Sequence, residues 1–427
     1  MTDIDRPYGS LAHNIEDVAR FRTLRSVEPG FGVNLLGQFS SATGLGVAVR
    51  HMARALRAME VPLSMFDLPP YFSSGDVSAE MHDIAPFLVP DARLLHYPIN
   101  LYCAPVIHFP RTIESLPAEV TQGKFNAATV WWETTKLHDA WIAGLMQLDA
   151  LVAPSDFLLG VLANSVPLTP VIKGFPPISI PVAVSADRKS FGLPDNATVF
   201  VSSFDPSSDP ARKNPLATIA AFRMAFGSSV GDVRLVFRLN NANSTNMAQQ
   251  TTQAIIEAAQ GDARIGFSLE PLNYPQVLSL FACADAYVSL HRAEGLGLGM
   301  LESMHLGVPV IATAWSGNMD FMNHRVACLV RHELERVGGN YPFYREDFLG
   351  PGAVWAKPVI EDAAAWMRHL YQNPEERRRI GHAGRAHVEQ LQRHASSLEW
   401  LHEIASIWHN RSNMPQINIK LSSKHSG

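Results

Sequence analysis

A glycine-rich turn with a glutamate on each side is the part of the sequence best suited to chemistry. It follows an apolar run that ends at Leu290, and Gly295, Gly297 and Gly299 lead from it into a predicted helix. The first amides of a helix have no backbone partner and the helix dipole is positive there, so this end binds anions such as phosphate. Glycine lets such a ligand approach the backbone closely. The turn is therefore predicted to hold a phosphate group.

The two glutamates, Glu294 and Glu302, suit a different part of the same ligand. A carboxylate repels phosphate but accepts hydrogen bonds from hydroxyl groups, as acidic residues do for ribose in nucleotide-binding folds. The alternative is that both are ordinary acids flanking a helix, with Glu302 solvated. Their position between two predicted buried strands favours binding of a phosphate-bearing ligand that has hydroxyl groups on both sides.

Basic residues after two further predicted strands could complete a phosphate site. Arg212 and Lys213 precede a predicted helix, where fixed positive charge would stabilise a leaving phosphate as its bond breaks. The alternative for this pair is a solvated basic turn. Arg238, at the end of the next strand, is a third candidate.

Two other polar positions follow predicted strands. Glu133 comes directly after Trp131 and Trp132, and aromatic faces stack on sugars while an acid binds hydroxyls. The alternative is that the rings pack in the core and Glu133 caps a helix. Asn318 follows a strand that ends at Thr313, at the edge where open α/β sheets bind ligands; the alternative is a plain turn.

Strands and helices alternate in two successive blocks, which predicts an α/β protein with two doubly wound domains. Prolines between 167 and 181 interrupt regular structure and mark a linker that ends near residue 188. The predicted domains are 1–188, 189–395, and a C-terminal helix with a disordered tail, 396–427, that could cross back to the first domain. Predicted strands are 32–37, 61–66, 99–103, 126–131, 150–153, 197–202, 233–238, 265–267, 286–290 and 308–313; predicted helices are 45–59, 215–226, 247–259, 275–282, 300–306, 360–372 and 374 to about 408. The sequence Pro154-Ser155-Asp156 predicts the start of another helix with a capping side chain.

Composition excludes several classes of protein. The 427 residues carry a net charge of −5, without the strongly basic character of nucleic-acid binding. Three separated cysteines fit neither a disulfide framework nor a zinc ribbon and predict free thiols in a cytoplasmic protein. The only Asp-x-Asp motif, Asp3 to Asp5, lies in a predicted tail, so no metal site is predicted and basic side chains should take the place of a metal at the diphosphate.

Residues 288–322 resemble the donor-site signature of glycosyltransferase family four, retaining enzymes of the GT-B fold, in which two Rossmann-like domains face each other across a cleft. A looser resemblance extends from Gly32 to about His387. It implies that Glu294 contacts the hydroxyls of the donor sugar and that Glu302 contacts the ribose. It also implies that Arg212 and Lys213 hold the diphosphate, and that backbone at Gly295, Leu296, Gly297 and Leu298 lies against sugar and diphosphate.

The resemblance assigns three further regions. It implies that the loop after the first strand approaches the diphosphate and acceptor, through Ser41, Thr43, Gly44 and Gly46; the alternative is a tight turn between strand and helix. The Trp-Trp-Glu sequence ending at Glu133 is similar to a signature of a bacterial subset of the family. Backbone near Leu269 is expected to face the base.

The predicted reaction is the transfer of a sugar from a nucleoside-diphosphate sugar to an acceptor hydroxyl with retention, in polysaccharide, lipopolysaccharide or glycolipid assembly. It needs no cofactor. The predicted acceptor is a saccharide or a lipid-linked group, and a lipid-linked acceptor would place the protein at the periphery of the inner membrane. The oligomeric state is left open. The alternatives are a nucleotide-sugar epimerase of the same fold and a non-catalytic sugar-nucleotide-binding subunit.

Overall fold

The computed structural model describes residues 15–27, 30–70, 76–181, 184–228 and 231–412, which form two α/β domains. The first domain is built on a six-stranded, fully parallel sheet of order β2-β1-β3-β4-β5-β6. Its strands are β1 Val33–Gly37, β2 Leu63–Asp67, β3 Ile99–Pro105, β4 Phe125–Trp131, β5 Ala150–Ala153 and β6 Val171–Lys173. Its helices are α1 Ile15–Val27, α2 Gly44–Ala58, α3 Ser78–Met81, α4 Phe109–Glu114, α5 Ala118–Thr121, α6 Asp139–Leu145 and α7 Asp156–Ser165.

The second domain repeats this design, with a parallel sheet of order β12-β11-β10-β7-β8-β9. Its strands are β7 Thr198–Phe204, β8 Val233–Leu239, β9 Ile265–Ser268, β10 Ala286–Ser289, β11 Val310–Thr313 and β12 Cys328–Val330; an antiparallel hairpin of β13 His332–Arg336 and β14 Val354–Pro358 follows. Its helices are α8 Pro210–Lys213, α9 Pro215–Phe226, α10 Asn246–Ala259, α11 Tyr274–Ala282, α12 Leu298–His305, α13 Glu346–Leu349, α14 Ile360–Gln372 and α15 Pro374–Ala395, and α16 Glu399–Ser412 ends the described chain.

Local sequence explains how the helices nearest the cleft begin. The Thr43 side chain caps α2 by accepting a hydrogen bond from the amide of Gly46, and Ser155 caps α7 by accepting one from Leu158, as the sequence predicted for that helix. Both helices follow parallel strands, so their N-terminal ends lie at the carboxyl edge of the sheet, where ligands of α/β folds bind.

The α/β class, the two doubly wound domains and all ten predicted strands are confirmed, with three differences. The edge strands β6 and β12, only three residues each, and the hairpin were not predicted. The helix predicted from 374 to about 408 is two helices, because Leu398 adopts a φ of +52° and turns the chain. The predicted disordered tail overlaps the end of α16 at Arg411 and Ser412; residues 413–427 and Asp3 to Asp5 lie outside the described residues.

The C-terminal helix α16 packs on the first domain. Its apolar side chains Trp400, Leu401, Ile404 and Ala405, with Leu398 just before it, belong to the same buried cluster as strands β1 and β3. The cysteines are free and buried, as predicted, and burial raises the pKa of each thiol. None of the described helices has both the length and the apolar character needed to cross a bilayer.

A second connection between the domains is made by the segment 337–353, here called the arm, between β13 and β14. The arm's Leu349, with Trp355 of β14, is buried in a cluster that contains Trp132 and Trp141 of the first domain. Polar contacts accompany this packing, since the amide of Val354 donates to Oγ1 of Thr135 at 3.0 Å. Apolar side chains of the second domain therefore complete the core of the first.

Removing one of these side chains should destabilise the whole molecule. Trp355 is 2% exposed, so Trp355→Ala should lower the free energy of unfolding by about 3–5 kcal/mol through the cavity it leaves. Leu334→Ala, in the same hairpin but 52% exposed, is the matched control and should change it by less than about 0.5 kcal/mol. If urea denaturation gave equally small changes in the free energy of unfolding for the two variants, it would contradict the packing of Trp355 in the core of the first domain.

Candidate active site

A cavity of 1010 Å³ lies between the two domains, at the carboxyl edges of both sheets. Thr43, Gly44 and Glu133 line it from the first domain, and the glycine-rich turn before α12 lines it from the second. Its size is at the upper end of the range for pockets that hold whole small-molecule ligands. Both halves of the chain therefore contribute to one candidate site.

Four charged side chains meet in this cavity, of which Arg212 is buried and the other three are partly buried. Lys213 Nζ donates to Glu294 Oε1 at 2.5 Å, and Arg212 Nη1 lies 3.4 Å from the other oxygen of Glu294. Arg212 also approaches Glu133 of the opposite domain, with Nη2 3.6 Å from Oε1. Arg212 is only 3% exposed, so the solvated basic turn considered as an alternative is wrong for it. Two cations and two carboxylates thus neutralise one another between the domains.

These pairs fix the charge state of Glu294. Burial alone would raise its pKa, but Lys213 and Arg212 outweigh that effect and hold the pKa at about 2. Because this pKa is depressed in the folded state, the stabilisation is present above the ordinary glutamate pKa and is lost as the pH falls towards 2. Burial lowers the pKa of Lys213, against the attraction of Glu294. Glu294 is therefore a carboxylate at all physiological pH values.

The short helix α8, which carries Arg212, also supports the backbone next to Glu294. Asp209 caps α8 by accepting from the amide of Arg212 at 3.0 Å, and its other oxygen accepts from the amide of Tyr341 in the arm at 2.6 Å. Arg212 in turn donates to the carbonyl of Ala293 at 3.0 Å. The buried arginine is held at both ends, so it positions the residue immediately before Glu294.

The turn between Glu294 and α12 is held by both domains. The amide of Glu294 donates to Oγ of Ser316 at 2.8 Å, while Ser155 of the first domain donates to the carbonyl of Gly295 at 2.7 Å. A Cβ on Gly295 would lie 2.7 Å from the carbonyl oxygen of Trp132, so only glycine allows this approach. Gly297 has a φ of +94° and caps α12. Gly295, Leu296, Gly297 and Leu298 all line the cavity.

Glu302 lies one turn into α12 and is part of a chain of hydrogen bonds that crosses the domain interface. It is 4% exposed, so the solvated alternative is wrong, and Tyr274 Oη donates to its Oε1 at 2.7 Å. His51 of α2 lies 3.1 Å from the same Oη, and its Nδ1 accepts from the amide of Ser179. The proton of the neutral imidazole is therefore on Nε2 and points at Tyr274.

The environment of Glu302 is the opposite of that of Glu294. Burial raises the pKa of Glu302 to about 8, and the hydrogen bond from Tyr274 opposes this only in part. Glu302 is thus largely protonated at neutral pH in the free protein. Ligand hydroxyls that donate to it would favour the carboxylate, so the two glutamates differ in charge before any ligand arrives.

Arg238 and Leu269 lie on the cavity wall at the ends of β8 and β9. Arg238 donates to the carbonyls of Leu239 and Ser268, and burial lowers its pKa to about 10. It forms no ion pair among the described residues, and its Nε has no hydrogen-bond partner there. Arg238 is therefore a cation that a ligand anion could still neutralise.

Other predicted residues lie behind the cavity wall. Asn318 is fully buried, where its amide donates to the carbonyl of Thr313 and its Oδ1 contacts His291, so it supports the turn. Ser41 is buried too, and its Oγ contacts Oγ1 of Thr43. A Cβ on Gly46 would lie 2.0 Å from the carbonyl oxygen of Ser41, so this glycine allows the loop to close.

Several residues of the site gave no signal in the sequence. Tyr274 follows an Asn273–Gln276 capping box that could have located the start of α11, but nothing indicated its contact with Glu302. Tyr344 of the arm donates to Glu133 Oε2 at 2.8 Å and stacks on Trp132, with ring centroids 5.2 Å apart. Trp132 is thus a core residue, one of the alternatives considered for it.

No group of three or more His, Cys, Asp or Glu side chains that could hold a metal ion occurs among the described residues. The described residues that bring positive charge to the cavity lining are Arg50, Arg212, Lys213 and Arg238. That the donor binds without a metal remains a prediction.

Comparison with known proteins confirms the resemblance to glycosyltransferases of the GT-B fold. Residues 247–387, which include both glutamates, match the family model of the glycosyl transferases group 1. No curated protein matches the sequence. Sucrose-phosphate synthase from Thermosynechococcus elongatus has a similar structure, with a TM-score of 0.62 and 14% identity over 89% of this chain and 100% of that chain.

Two other solved structures are similar to this chain. HepE from Anabaena, solved with UDP and glucose, has a TM-score of 0.57 and 14% identity over 88% of this chain and 99% of its own. WaaG, a glycosyltransferase involved in lipopolysaccharide biosynthesis, has a TM-score of 0.53 and 13% identity over 88% of this chain and 99% of its own. At these identities the similarities show the fold, which is GT-B.

The coupling between Lys213 and Glu294 can be measured with a double-mutant cycle. Lys213→Met or Glu294→Gln alone breaks this pair, although Arg212 keeps a carboxylate partner in either variant, and should lower the free energy of unfolding by about 1.5–3 kcal/mol. The double variant should lose less than the sum of the two, because the Lys213–Glu294 contact is already absent from each single variant.

The exposed pair Arg331–Asp362 offers a matched control cycle, whose coupling should be below about 1 kcal/mol. Urea denaturation of the wild type and the six variants checks both cycles. A coupling between Lys213 and Glu294 no larger than that of the surface pair would contradict their assignment as a partly buried ion pair.

Proposed function

We propose that this protein is a retaining glycosyltransferase that moves a sugar from a nucleoside-diphosphate sugar to an acceptor hydroxyl. The observation that carries the proposal is the contact of Lys213 with Glu294 at the turn before α12, 2.5 Å apart and partly buried. It brings a cation suited to a diphosphate next to a permanently ionised carboxylate suited to sugar hydroxyls. The family match over residues 247–387 supports sugar transfer independently.

The diphosphate is assigned to the positive side of the cavity. Lys213 and Arg238 line it there, together with the N-terminal end of α12, whose dipole is positive. In the free protein Lys213 is neutralised by Glu294, so an arriving diphosphate shares the lysine with the carboxylate. Preorganised cations stabilise the charge that develops on the leaving group as the glycosidic bond breaks.

The sugar and the ribose are assigned to the two glutamates. Glu294 precedes the phosphate-binding turn and Glu302 lies beyond it in α12, so a linear ligand with the diphosphate at the turn offers them different groups. The sugar would meet the ionised Glu294. The ribose would meet Glu302, whose free oxygen accepts from a hydroxyl while Tyr274 holds the other.

The acceptor is assigned to the first domain. Glu133, Trp131 and His108 line the cavity opposite Glu294, and Glu133 is oriented by Tyr344. The acceptor oxygen forms its bond to the anomeric carbon on the face from which the phosphate departs, and a phosphate oxygen takes the acceptor proton. Glu294 is a poor nucleophile because two cations bind it, which supports this direct route over a covalent glycosyl-enzyme.

The proposal extends to the setting of the reaction. Uridine diphosphate is the first nucleotide to test, because the HepE structure contains it. We place the reaction in polysaccharide, lipopolysaccharide or glycolipid assembly, and in the cytoplasm, where buried thiols remain reduced. A saccharide or lipid-linked acceptor suits the site, and no cofactor or metal is required by the assigned roles.

Binding of uridine diphosphate should stabilise the protein without Mg²⁺. At a ligand concentration a hundredfold above the dissociation constant the gain should be about 2.7 kcal/mol, seen as a rise in Tm. Loss of the shift on adding EDTA would contradict the metal-free assignment. Consumption of a nucleotide sugar in the absence of any acceptor, giving the epimeric nucleotide sugar, would identify an epimerase instead.

Substitution of each glutamate separates their roles. Glu302→Gln should weaken uridine diphosphate and the nucleotide sugar alike, by about 10- to 100-fold, because the ribose is common to both. Glu294→Gln should spare the affinity for the free nucleotide and lower the transfer rate by about 30- to 150-fold, since its partner is the sugar.

Calorimetry with uridine diphosphate, together with transfer rates, measures both effects. Glu257→Gln, on the exposed face of α10, is the control and should change neither. Equal losses of nucleotide affinity in Glu294→Gln and Glu302→Gln would contradict the separate roles and the placement of the sugar.

A further inference from the structure

Glu80, in α3 of the first domain, is a buried glutamate with one oxygen left over. It is 2% exposed, and its Oε1 accepts from the amide of Tyr274 at 2.6 Å, across the domain interface. Its Oε2 is buried and has no hydrogen-bond partner among the described residues. The nearby Arg54 donates to the backbone oxygen of Glu80 and pairs with Asp83. An unsatisfied buried polar atom is costly, and more so on a group that can be charged.

The position of this oxygen relates it to Glu302. Glu80 lines the same cavity, and one tyrosine contacts both acids: the amide of Tyr274 donates to Glu80 and its hydroxyl donates to Glu302. Leu272 and Asn273, which lead into Tyr274, also line the wall here, a few residues after Leu269, near which the sequence predicts the base. Glu80 is therefore at the nucleoside end of the cavity, away from Glu294.

We propose that Oε2 of Glu80 accepts a hydrogen bond from the nucleoside of the bound donor, so that the first domain takes part in nucleotide recognition. This inference rests on the proposed function, since it uses the same cavity. A carboxylate oxygen can only accept, and a nucleoside offers two kinds of donor to it, a ribose hydroxyl and an N–H of the base. Either would satisfy the oxygen that the protein leaves without a partner.

A purely structural role explains only one of the two carboxylate oxygens of Glu80. The carboxylate at the first residue of α11 favours the helix dipole and links the domains through Oε1. That role is complete without Oε2. It would also be served by a neutral side chain with a carbonyl oxygen, which makes the two roles separable.

Glu80→Gln is the test, because its carbonyl oxygen can replace Oε1 against Tyr274 while its amide nitrogen replaces Oε2. The domain contact is kept, and the group facing the cavity changes from an acceptor to a donor. The affinity for uridine diphosphate should fall by about 10- to 100-fold. Glu114→Gln, exposed in the same domain, is the matched control and should bind as the wild type does.

Inorganic diphosphate, which has no nucleoside, separates recognition from a disturbed fold. Glu80→Gln should bind it with unchanged affinity; a loss as large as that for uridine diphosphate would assign Glu80 to the fold and overturn the inference. Unchanged affinity for uridine diphosphate would overturn it directly. Failure of the wild type to bind uridine diphosphate or any other nucleoside diphosphate would instead contradict the proposed function.

Binding of deoxy nucleotides identifies which group of the nucleoside donates the hydrogen bond to Glu80. If a ribose hydroxyl is the donor, 2′-deoxy- or 3′-deoxyuridine diphosphate should bind the wild type more weakly, and Glu80→Gln should add no further loss. If the base is the donor, the losses from the variant and from either deoxy nucleotide should multiply. Both results support the contact and assign it.

Discussion

The mutual neutralisation of charges between the domains is the constraint on which the rest of the site depends. Arg212 and Lys213 are removed from water together with Glu294 and Glu133, and in such surroundings an unpaired charge is far more costly than a paired one. Asp209, the carbonyl of Ala293 and Tyr344 hold Arg212 from three directions. The turn that lines the cavity can therefore keep a fixed shape without a ligand.

The same contacts determine where the first domain lies. Glu133 joins the charged group from β4, and Trp132 and Ser155 meet the backbone of Gly295. On the other side of α12, His51 and Glu80 meet Tyr274. Polar contacts on both sides of one short helix thus tie the two halves of the site together, and transition-state stabilisation benefits from groups that need not reorganise.

Most of the fold and about half of the candidate site could be predicted from the sequence. Strand and helix ends follow from apolar periodicity and capping residues, as at Ser155, and Glu294 and Glu302 were identified by their position beside a glycine-rich turn. Contacts between distant residues could not be predicted, because no local pattern reports that His51 and Tyr274 meet. The break after α15 was missed for a related reason: Leu398 takes a left-handed conformation with no glycine or proline to signal it. Asn318 shows the converse limit, since its position at a strand end was right but its side chain turns into the core.

The first domain is synthesised before the segments that complete its core. One face of the first sheet is covered by Trp400 and its neighbours in α16, and the other by Trp355 and the arm. The ribosome makes the arm roughly 150 residues and α16 roughly 220 residues after the first domain, delays on the order of 7 to 45 s at ordinary rates of translation. Until then the apolar surface that these segments cover on each face of the sheet stays exposed in the nascent first domain. That surface is available to chaperones that bind apolar segments during synthesis.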